Sequence, residues 1–177
     1  MRYVHPLGRN HQSWRLIWDD VASVQPASDG LATPIGHMID HSFLPLGFYI
    51  DSNLFPSSRS IDRVSTHSSR LLLGPFCGKP ACQFINTAPG KARGVCADAF
   101  LQRQTLVVPE VDKYPGHIAC DGETKSEIVC PLVSRVGGDE IVLGVLDLDC
   151  LALAGFDQED KFGLEKIVAL IVAACDW

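Results

Sequence analysis

The sequence predicts a single α+β domain, built on a central antiparallel sheet with helices flanking it. Short apolar strands alternate with turns through the middle of the chain, and two of them flank Gly137-Gly138, a strong hairpin signal. The clearest helical period comes last, after the strands. A run of strands followed by a helix is typical of α+β domains. The length of 177 residues suits one domain with a sizeable core.

Two segments of the N-terminal half lie outside this regular pattern. Residues 1–45 are broken by prolines and keep no sustained helical period, so we predict a separate N-terminal segment ahead of a main domain at 46–177. The sequence GFYI at 47–50 has the aromatic and β-branched composition of a strand. Residues 51–70 contain seven serines and few apolar side chains, which predicts a polar loop inserted within the domain.

After the loop, turn residues divide the chain into short strands and helices. The predicted strands are 71–74, 81–85, 105–111, 126–136 and 139–149, and a short helix is predicted over 95–104. In the last helix Asp157 is the expected N-cap and Asp160 stands at the third helical position, as in a capping box. The apolar stripe predicted for this helix consists of Phe162, Ile167, Leu170, Ile171 and Ala174.

Composition argues against several classes of protein. The formal net charge is −6 and no basic stripe with interleaved aromatic residues is present, so no nucleic acid is expected as a partner. No apolar run approaches the roughly 18 residues of a membrane helix, so no membrane association is expected. Seven cysteines are an odd number and too few for a disulfide scaffold. They indicate a reducing compartment, and we expect a cytoplasmic protein.

Three cysteines lie on separate loop-like segments close to glycine or proline, namely Cys82, Cys96 and Cys120. Such thiols are candidates for redox chemistry when a helix start, a cation or an imidazole favours the thiolate. Cys120 follows His117 within a turn-rich stretch, and Cys96 opens a predicted helix, where free backbone N–H groups favour an anion. The alternatives left open are a loop cysteine without a role at 120 and a small packing residue at 96.

The other cysteines predict packing rather than chemistry. Cys77 follows a strand and should be exposed, whereas three more lie in apolar elements and should fill the core: Cys130, Cys150 and Cys175. Zinc sites usually draw ligand pairs from closely spaced cysteines. The gaps from Cys82 to Cys96 and from Cys96 to Cys120 are far wider. The sequence therefore predicts no metal site.

Three carboxylates are candidates for an acidic cluster, namely Glu127, Asp147 and Asp149. The two aspartates alternate at the end of an apolar strand and share one face, although solvated strand-end acids would show the same pattern. A strict two-residue turn at Gly137-Gly138 would set Glu127 on the opposite face from both. A bulge or a wider turn would pair Glu127 with Asp149 and align all three side chains.

The motifs within residues 71–172 together resemble those of the free methionine-R-sulfoxide reductases, a family built on a GAF domain. The matching motifs are LLGPFCGKPAC, GVC, TLVVPEV, YPGHIACDGETKSEIV, GVLDLD and the helix FDQEDKFGLEKIV. The resemblance implies that residues 46–177 form a single GAF-like catalytic domain after a divergent segment at 1–45. Pro45 stands where the family usually has tryptophan, and Ala97 follows GVC where glycine is usual.

The resemblance also implies an activity, the reduction of free L-methionine-R-sulfoxide to L-methionine. It places the redox cysteines at Cys82, Cys96 and Cys120, and leaves open whether Cys82 or Cys96 resolves. It implies that a thiolate, at Cys120, attacks the sulfoxide sulfur while Glu127 protonates the departing oxygen. The implied substrate contacts are Asp147, Asp149 and Tyr49.

The implied catalytic cycle needs no bound cofactor. The thiolate becomes a sulfenic acid, a second thiol condenses with it to a disulfide, and thioredoxin reduces that disulfide with electrons from NADPH by way of thioredoxin reductase. The expected partners are therefore free methionine sulfoxide and thioredoxin, and a homodimer is left open. The alternative is a non-catalytic GAF module that binds a ligand or senses redox state through its thiols, which the missing tryptophan at Pro45 would favour.

Overall fold

A computed structural model of the chain describes residues 43–55, 69–78, 81–118, 122–136, 138–175 and 177. Most of the predicted N-terminal segment 1–45 lies outside the described residues, as does most of the predicted polar loop 51–70. Cys120 also lies outside them.

The described residues form one six-stranded antiparallel sheet with a helix packed on each face. The strands are β1 (Phe43–Asp51), β2 (Arg70–Cys77), β3 (Phe84–Asn86), β4 (Leu106–Val108), β5 (Ser126–Val136) and β6 (Asp139–Cys150). The helices are α1 (Val95–Gln102) and α2 (Gln158–Ala174). The spatial order of the strands is β3-β2-β1-β6-β5-β4. This architecture confirms the predicted α+β class with a central antiparallel sheet flanked by helices.

Each face of the sheet buries its own apolar set, because side chains alternate along a strand. The α2 face, covered by α2, includes Phe48, Ile50, Ile128, Cys130, Leu132, Leu146, Leu148 and Cys150. The α1 face, covered by α1 and the segment after β4, includes Tyr49, Leu71, Val95, Cys96, Ala99, Val108, Val111, Val129 and Val145. Tyr49 and Cys96 both lie on the α1 face, whereas the set on the α2 face is almost wholly apolar.

The C-terminal helix α2 begins with the predicted capping box. The side chain of Asp157 accepts from the backbone N–H of Asp160, whose carboxylate accepts from the backbone N–H of Asp157. The predicted apolar stripe is wrong at three positions, because Phe162 and Leu170 are 60% and 70% exposed and Ala174 is exposed as well. The helix is apolar on more than one side, so periodicity alone did not single out the buried seam. That seam is Leu164, Val168 and Ile171.

Three predicted boundaries also differ from the observed ones, each for a local reason. β4 ends at Val108 instead of running to residue 111, because Pro109 cannot donate to the ladder, and a 3₁₀ turn follows at Val111–Lys113. α1 ends at Gln102 because Arg103 takes the left-handed conformation, with φ 57°. β3 begins only at Phe84, so Cys82 precedes the strand instead of lying within it.

The long hairpin of β5 and β6 contains a bulge, which the sequence identified as one of two ways to align the acids. Val136 pairs with Asp139 at the tip, as expected for a two-residue turn. The register then shifts between Leu132 and Val133, because β6 has one extra residue, Leu143, at this point. Below the shift Glu127 pairs with Asp149.

The base of the same hairpin is fixed by a buried hydroxyl. Ser126, which is fully buried, donates through Oγ to the carbonyl oxygen of Ala152 at 2.7 Å and accepts from the backbone N–H of Gly155 at 3.0 Å. The turn that leads from β6 into α2 is therefore tied to the residue directly before Glu127. Within the described ranges, no helix is both long and apolar enough to cross a lipid bilayer.

Candidate functional site

The acidic cluster lies on the α1 face at the base of the β5–β6 hairpin. Glu127 is directly opposite Asp149, and Asp147 is opposite Val129, so all three acids point to the same face. Glu127 is only 5% exposed and Asp149 only 8% exposed. Carboxylates so poorly exposed are not ordinary solvated strand-end acids, because burying an unpaired charge is costly. The structure thus brings together the three carboxylates that the sequence singled out.

A thiol from α1 completes the cluster. Cys96 is the second residue of the helix, directly after Val95, and Gly94 at the N-cap supplies no side-chain cap. Cys96 Sγ lies 3.8 Å from Glu127 Oε1, and one ligand atom each of Cys96, Glu127 and Asp147 lies within 4.8 Å of the others. The helix is held over the sheet by buried contacts of its first turn, so the thiol faces the acids directly.

The segment after β4 adds an imidazole to the same cluster. His117 Nε2 lies 3.7 Å from Glu127 Oε2, and both side chains are largely buried. This segment is fixed to α1 by Tyr114, whose hydroxyl donates to Asp98 Oδ2 at 2.7 Å. The sequence placed His117 near Cys120 but gave no sign of its contact with Glu127 or of the Tyr114–Asp98 bond, because both connect residues that are distant along the chain.

Burial raises the pKa of Glu127 well above its usual range, and the nearby charge of Asp147 raises it further. Burial also raises the pKa of Asp147, to about 6. Neighbouring carboxylates in a water-poor site cannot both ionise readily, so the proton stays on the member that is harder to charge. The site therefore combines a carboxylic acid at Glu127 with a carboxylate at Asp147 near neutral pH.

The same surroundings act on the thiol of Cys96, against our expectation. We expected the start of α1 to favour its thiolate. Burial raises the pKa of Cys96 well above its usual range, and the charges of Asp147 and Glu127 raise it further. Burial of the thiol, together with the nearby acids, outweighs the helix dipole, because the dipole is worth only about 1 kcal/mol at a helix end. Cys96 is therefore held as a thiol.

Tyr49 forms the wall of the cluster on the β1 side. It pairs with Val145 of β6 and is only 1% exposed. Burial and then the charge of Asp147 raise its pKa, so the phenol keeps its proton. Its strand lies unusually close to β6, since a β-carbon at Gly144 would overlap the carbonyl oxygen of Tyr49. Gly144 is thus required for the ring to reach this position.

The cysteines of the described residues fall into two groups. Cys82 is disulfide-bonded and packs at the margin of the α1 face. The free thiols among the described residues are Cys77, Cys96, Cys130, Cys150 and Cys175. Cys130 and Cys150 are buried as predicted, Cys175 is half-buried, and Cys77 is exposed as predicted.

The donor atoms of the site suit two kinds of chemistry. A protonated carboxyl beside an ionised one can donate a proton to a polar substrate oxygen while binding a cationic group. The sulfur and oxygen donors of Cys96, Glu127 and Asp147 could also hold a metal ion.

No family model matches the chain. It is similar to the free methionine-R-sulfoxide reductase of Saccharomyces cerevisiae, with 51% identity over 111 residues, which make up 63% of this chain and 58% of that protein. The chain therefore spans less than two thirds of the length of that curated relative.

Solved structures give the same picture over more of the chain. A free methionine-R-sulfoxide reductase from Neisseria meningitidis, in complex with its substrate, is 36% identical with a TM-score of 0.59, over 76% of this chain and 68% of that one. A GAF domain structure is 36% identical with a TM-score of 0.63, over 95% of this chain and 92% of that one.

The buried carboxyl of Asp147 should make the stability of the protein depend on pH. Its pKa is about 6 in the folded protein against 3.8 for the free side chain. A raised pKa contributes stability that is complete below about pH 4 and is lost as the pH rises to about 6, by about 3 kcal/mol. Asp147→Asn cannot ionise, so its free energy of unfolding should rise relative to wild type over this window. Urea denaturation at several pH values measures the difference.

Asp139→Asn is the matched control, because Asp139 lies at the exposed start of the same strand. Its free energy of unfolding should follow the wild-type pH profile. A difference between Asp147→Asn and wild type that stays constant across this pH range would contradict the effect of burial.

Proposed function

Since the chain belongs to the free methionine-R-sulfoxide reductase family of GAF-domain proteins, we propose that it reduces free L-methionine-R-sulfoxide to L-methionine. The observation that carries this proposal is the pairing of a proton-holding Glu127 with a second carboxylate, Asp147, on one buried face beside a thiol. A sulfoxide needs a proton at its oxygen when a thiolate attacks its sulfur, and a free amino acid needs a partner for its ammonium group.

The two kinds of carboxyl supply these needs separately. Glu127 donates its proton to the sulfoxide oxygen, because its raised pKa keeps the acid form populated near neutral pH. Asp147 and Asp149 receive the substrate ammonium, which is absent as a free group in a peptide-bound residue. Tyr49 closes the pocket on the β1 side with a flat aromatic surface. Recognition of the ammonium gives a physical reason for a preference for the free amino acid.

The redox steps fall to the loop cysteines. The thiolate of Cys120 attacks the sulfoxide sulfur, takes up the oxygen as a sulfenic acid, and releases methionine. Cys96 is a poor candidate for this step, because its raised pKa keeps it as a thiol. A second thiol then attacks the sulfenic sulfur, and one water leaves as the disulfide forms.

We assign the resolving role to Cys82. It is disulfide-bonded, whereas Cys96, the other candidate for this role, is a free thiol, which supports Cys82 as the thiol that closes the disulfide. A dithiol such as thioredoxin would reduce this disulfide by exchange and regenerate both thiols, with electrons from NADPH through thioredoxin reductase. No bound cofactor takes part, and such recycling fits a cytoplasmic location.

The alternative function is a redox sensor that keeps the thiols without turnover. The disulfide at Cys82 would be its signal, and Pro45 in place of the usual tryptophan would weaken the substrate pocket. The enzyme would consume methionine sulfoxide repeatedly, whereas the sensor would consume at most a stoichiometric amount.

NADPH oxidation coupled through thioredoxin reductase and thioredoxin should distinguish the two. With the purified chain, free L-methionine-R-sulfoxide should give sustained NADPH consumption, while the S epimer should give none, because only one epimer presents its oxygen to Glu127. A blocked N-acetyl R epimer should react far more slowly, since it lacks the ammonium group. Equal rates with both epimers, or none with either, would exclude the reductase.

Single-turnover measurements should separate the cysteine roles. Reduced protein without thioredoxin should release about one equivalent of methionine from each wild-type or Cys82→Ser molecule, since the first step needs only the attacking thiol. Cys120→Ser should release none, whereas Cys82→Ser should fail only in the thioredoxin-coupled assay. If Cys120→Ser still releases one equivalent while Cys96→Ser releases none, the nucleophile is Cys96. Cys130→Ser is the control, and should lower stability without changing methionine release.

Replacing the proposed acid should slow the first step. Glu127→Gln keeps the shape of the side chain but cannot give up a proton, so the single-turnover rate should fall by about 10²–10⁴-fold. Glu165→Gln, on the exposed side of α2, is the matched control and should retain the wild-type rate. A Glu127→Gln rate within a few-fold of wild type would assign the proton to another group, and His117 would be the next candidate.

A further inference from the structure

The base of the site has the donor set of a transition-metal centre. Cys96 Sγ, a carboxylate oxygen of Glu127 and a carboxylate oxygen of Asp147 all lie within 4.8 Å of one another. Cys96 Sγ is 3.8 Å from Glu127 Oε1, and His117 Nε2 is 3.7 Å from Glu127 Oε2. Zinc bound tetrahedrally, with bonds of about 2.3 Å to sulfur and about 2.0 Å to oxygen, holds such ligands about 3.5 Å apart. The 3.8 Å between Cys96 Sγ and Glu127 Oε1 is close to this spacing, and a carboxylate oxygen of Asp147 lies within 4.8 Å of both residues' ligand atoms.

A second observation also indicates a ligand here. Asp147 Oδ1 is buried and has no hydrogen-bond partner among the described residues. A buried carboxylate oxygen without a partner is costly, because it has lost its water without gaining a donor. A cation bound to this oxygen would compensate that loss. The carboxylate concerned is the same one that approaches Cys96 and Glu127.

We propose that Cys96, Glu127 and Asp147, with water in the fourth position, form an inhibitory site for a thiophilic divalent cation of the zinc type. The thiolate selects zinc over calcium or magnesium, which prefer oxygen ligands in larger numbers. The inhibitory effect rests on the proposed function, because the cation would occupy the acid of Glu127 and the ammonium partner Asp147. The binding itself does not depend on that function.

The site does not require reduction of the disulfide. Cys96 is a free thiol in the same structure in which Cys82 is disulfide-bonded. Zinc would therefore bind the oxidised protein as well as the reduced one, and oxidation of the loop cysteines would not release it. A zinc site built from the redox cysteines themselves would behave in the opposite way.

Cobalt(II) is the probe for binding, because tetrahedral cobalt with a thiolate ligand gives a charge-transfer band and intense visible bands. Titration of the oxidised full chain should produce both, and an equimolar amount of Zn²⁺ should abolish them. Cys96→Ser should lose the charge-transfer band, and Glu127→Gln should weaken cobalt binding at least tenfold. Cys77→Ser, which removes an exposed thiol, should bind cobalt as wild type does. Circular dichroism verifies that each variant is folded.

Retention of the charge-transfer band in folded Cys96→Ser, or only the weak spectrum of octahedral cobalt in wild type, would overturn the proposal. Inhibition is measured separately in single turnovers of reduced protein. Zn²⁺ should raise the substrate concentration for half-maximal rate at least tenfold without lowering the maximal rate, and Mg²⁺ should do neither. A cobalt band without reductase activity would refute the proposed function and leave the metal site standing. Activity without a cobalt band would refute the metal site and leave the proposed function standing.

Discussion

Glu127 pairs with Asp149 only because β6 contains one more residue than β5 between the turn and the acids. Without that shift, a two-residue turn would place Glu127 opposite Leu148, and its side chain would enter the apolar α2 face. A carboxyl there would have no polar neighbour, and the α1 face would lose its proton donor. The other properties of the site depend on this register, because the acids can shift one another's pKa values only when their side chains share a face.

Burial then gives similar groups different roles. Glu127 and Asp147 are both carboxyls withdrawn from water, yet the pKa of Glu127 is raised well above its usual range while that of Asp147 stops at about 6. Their mutual repulsion separates the two pKa values, so one acid keeps its proton while the other carries the charge. Burial and the charge of Asp147 also keep Cys96 protonated. The thiol is therefore unsuited to attack a sulfoxide, but it could still bind a cation that displaces its proton.

Local sequence signals predicted local structure well and long-range contacts poorly. The two strands of the hairpin, the capping box at Asp157 and the faces of Asp147 and Asp149 all followed from residues close together in the chain. The bulge could be stated only as an alternative, although Pro131 and Gly144 flank it and both residue types are common at bulges. Cysteine spacing also could not bring Cys96 together with Glu127 and Asp147, because these side chains come from a helix and two strands.

The pKa of Cys96 shows the same limit in another form. A helix start favours a thiolate, but the outcome depends on which groups face it from the sheet, and these are 31 residues or more away in the chain. Periodicity likewise could not predict that Phe162 and Leu170 are exposed, because α2 has apolar residues on more than one side.

The hydroxyl of Ser126 has a consequence for how the two halves of the site move. It joins the start of β5 to the turn before α2, so Glu127 belongs to the part of the fold with the longest strands and the capped helix. Cys96 and His117 instead come from an eight-residue helix and an irregular segment. Slow, global opening would thus govern hydrogen exchange at the acids, and faster local opening would govern the elements that carry the thiol and imidazole. The proton donor would thus keep its position while the helix and the irregular segment that face it open and close.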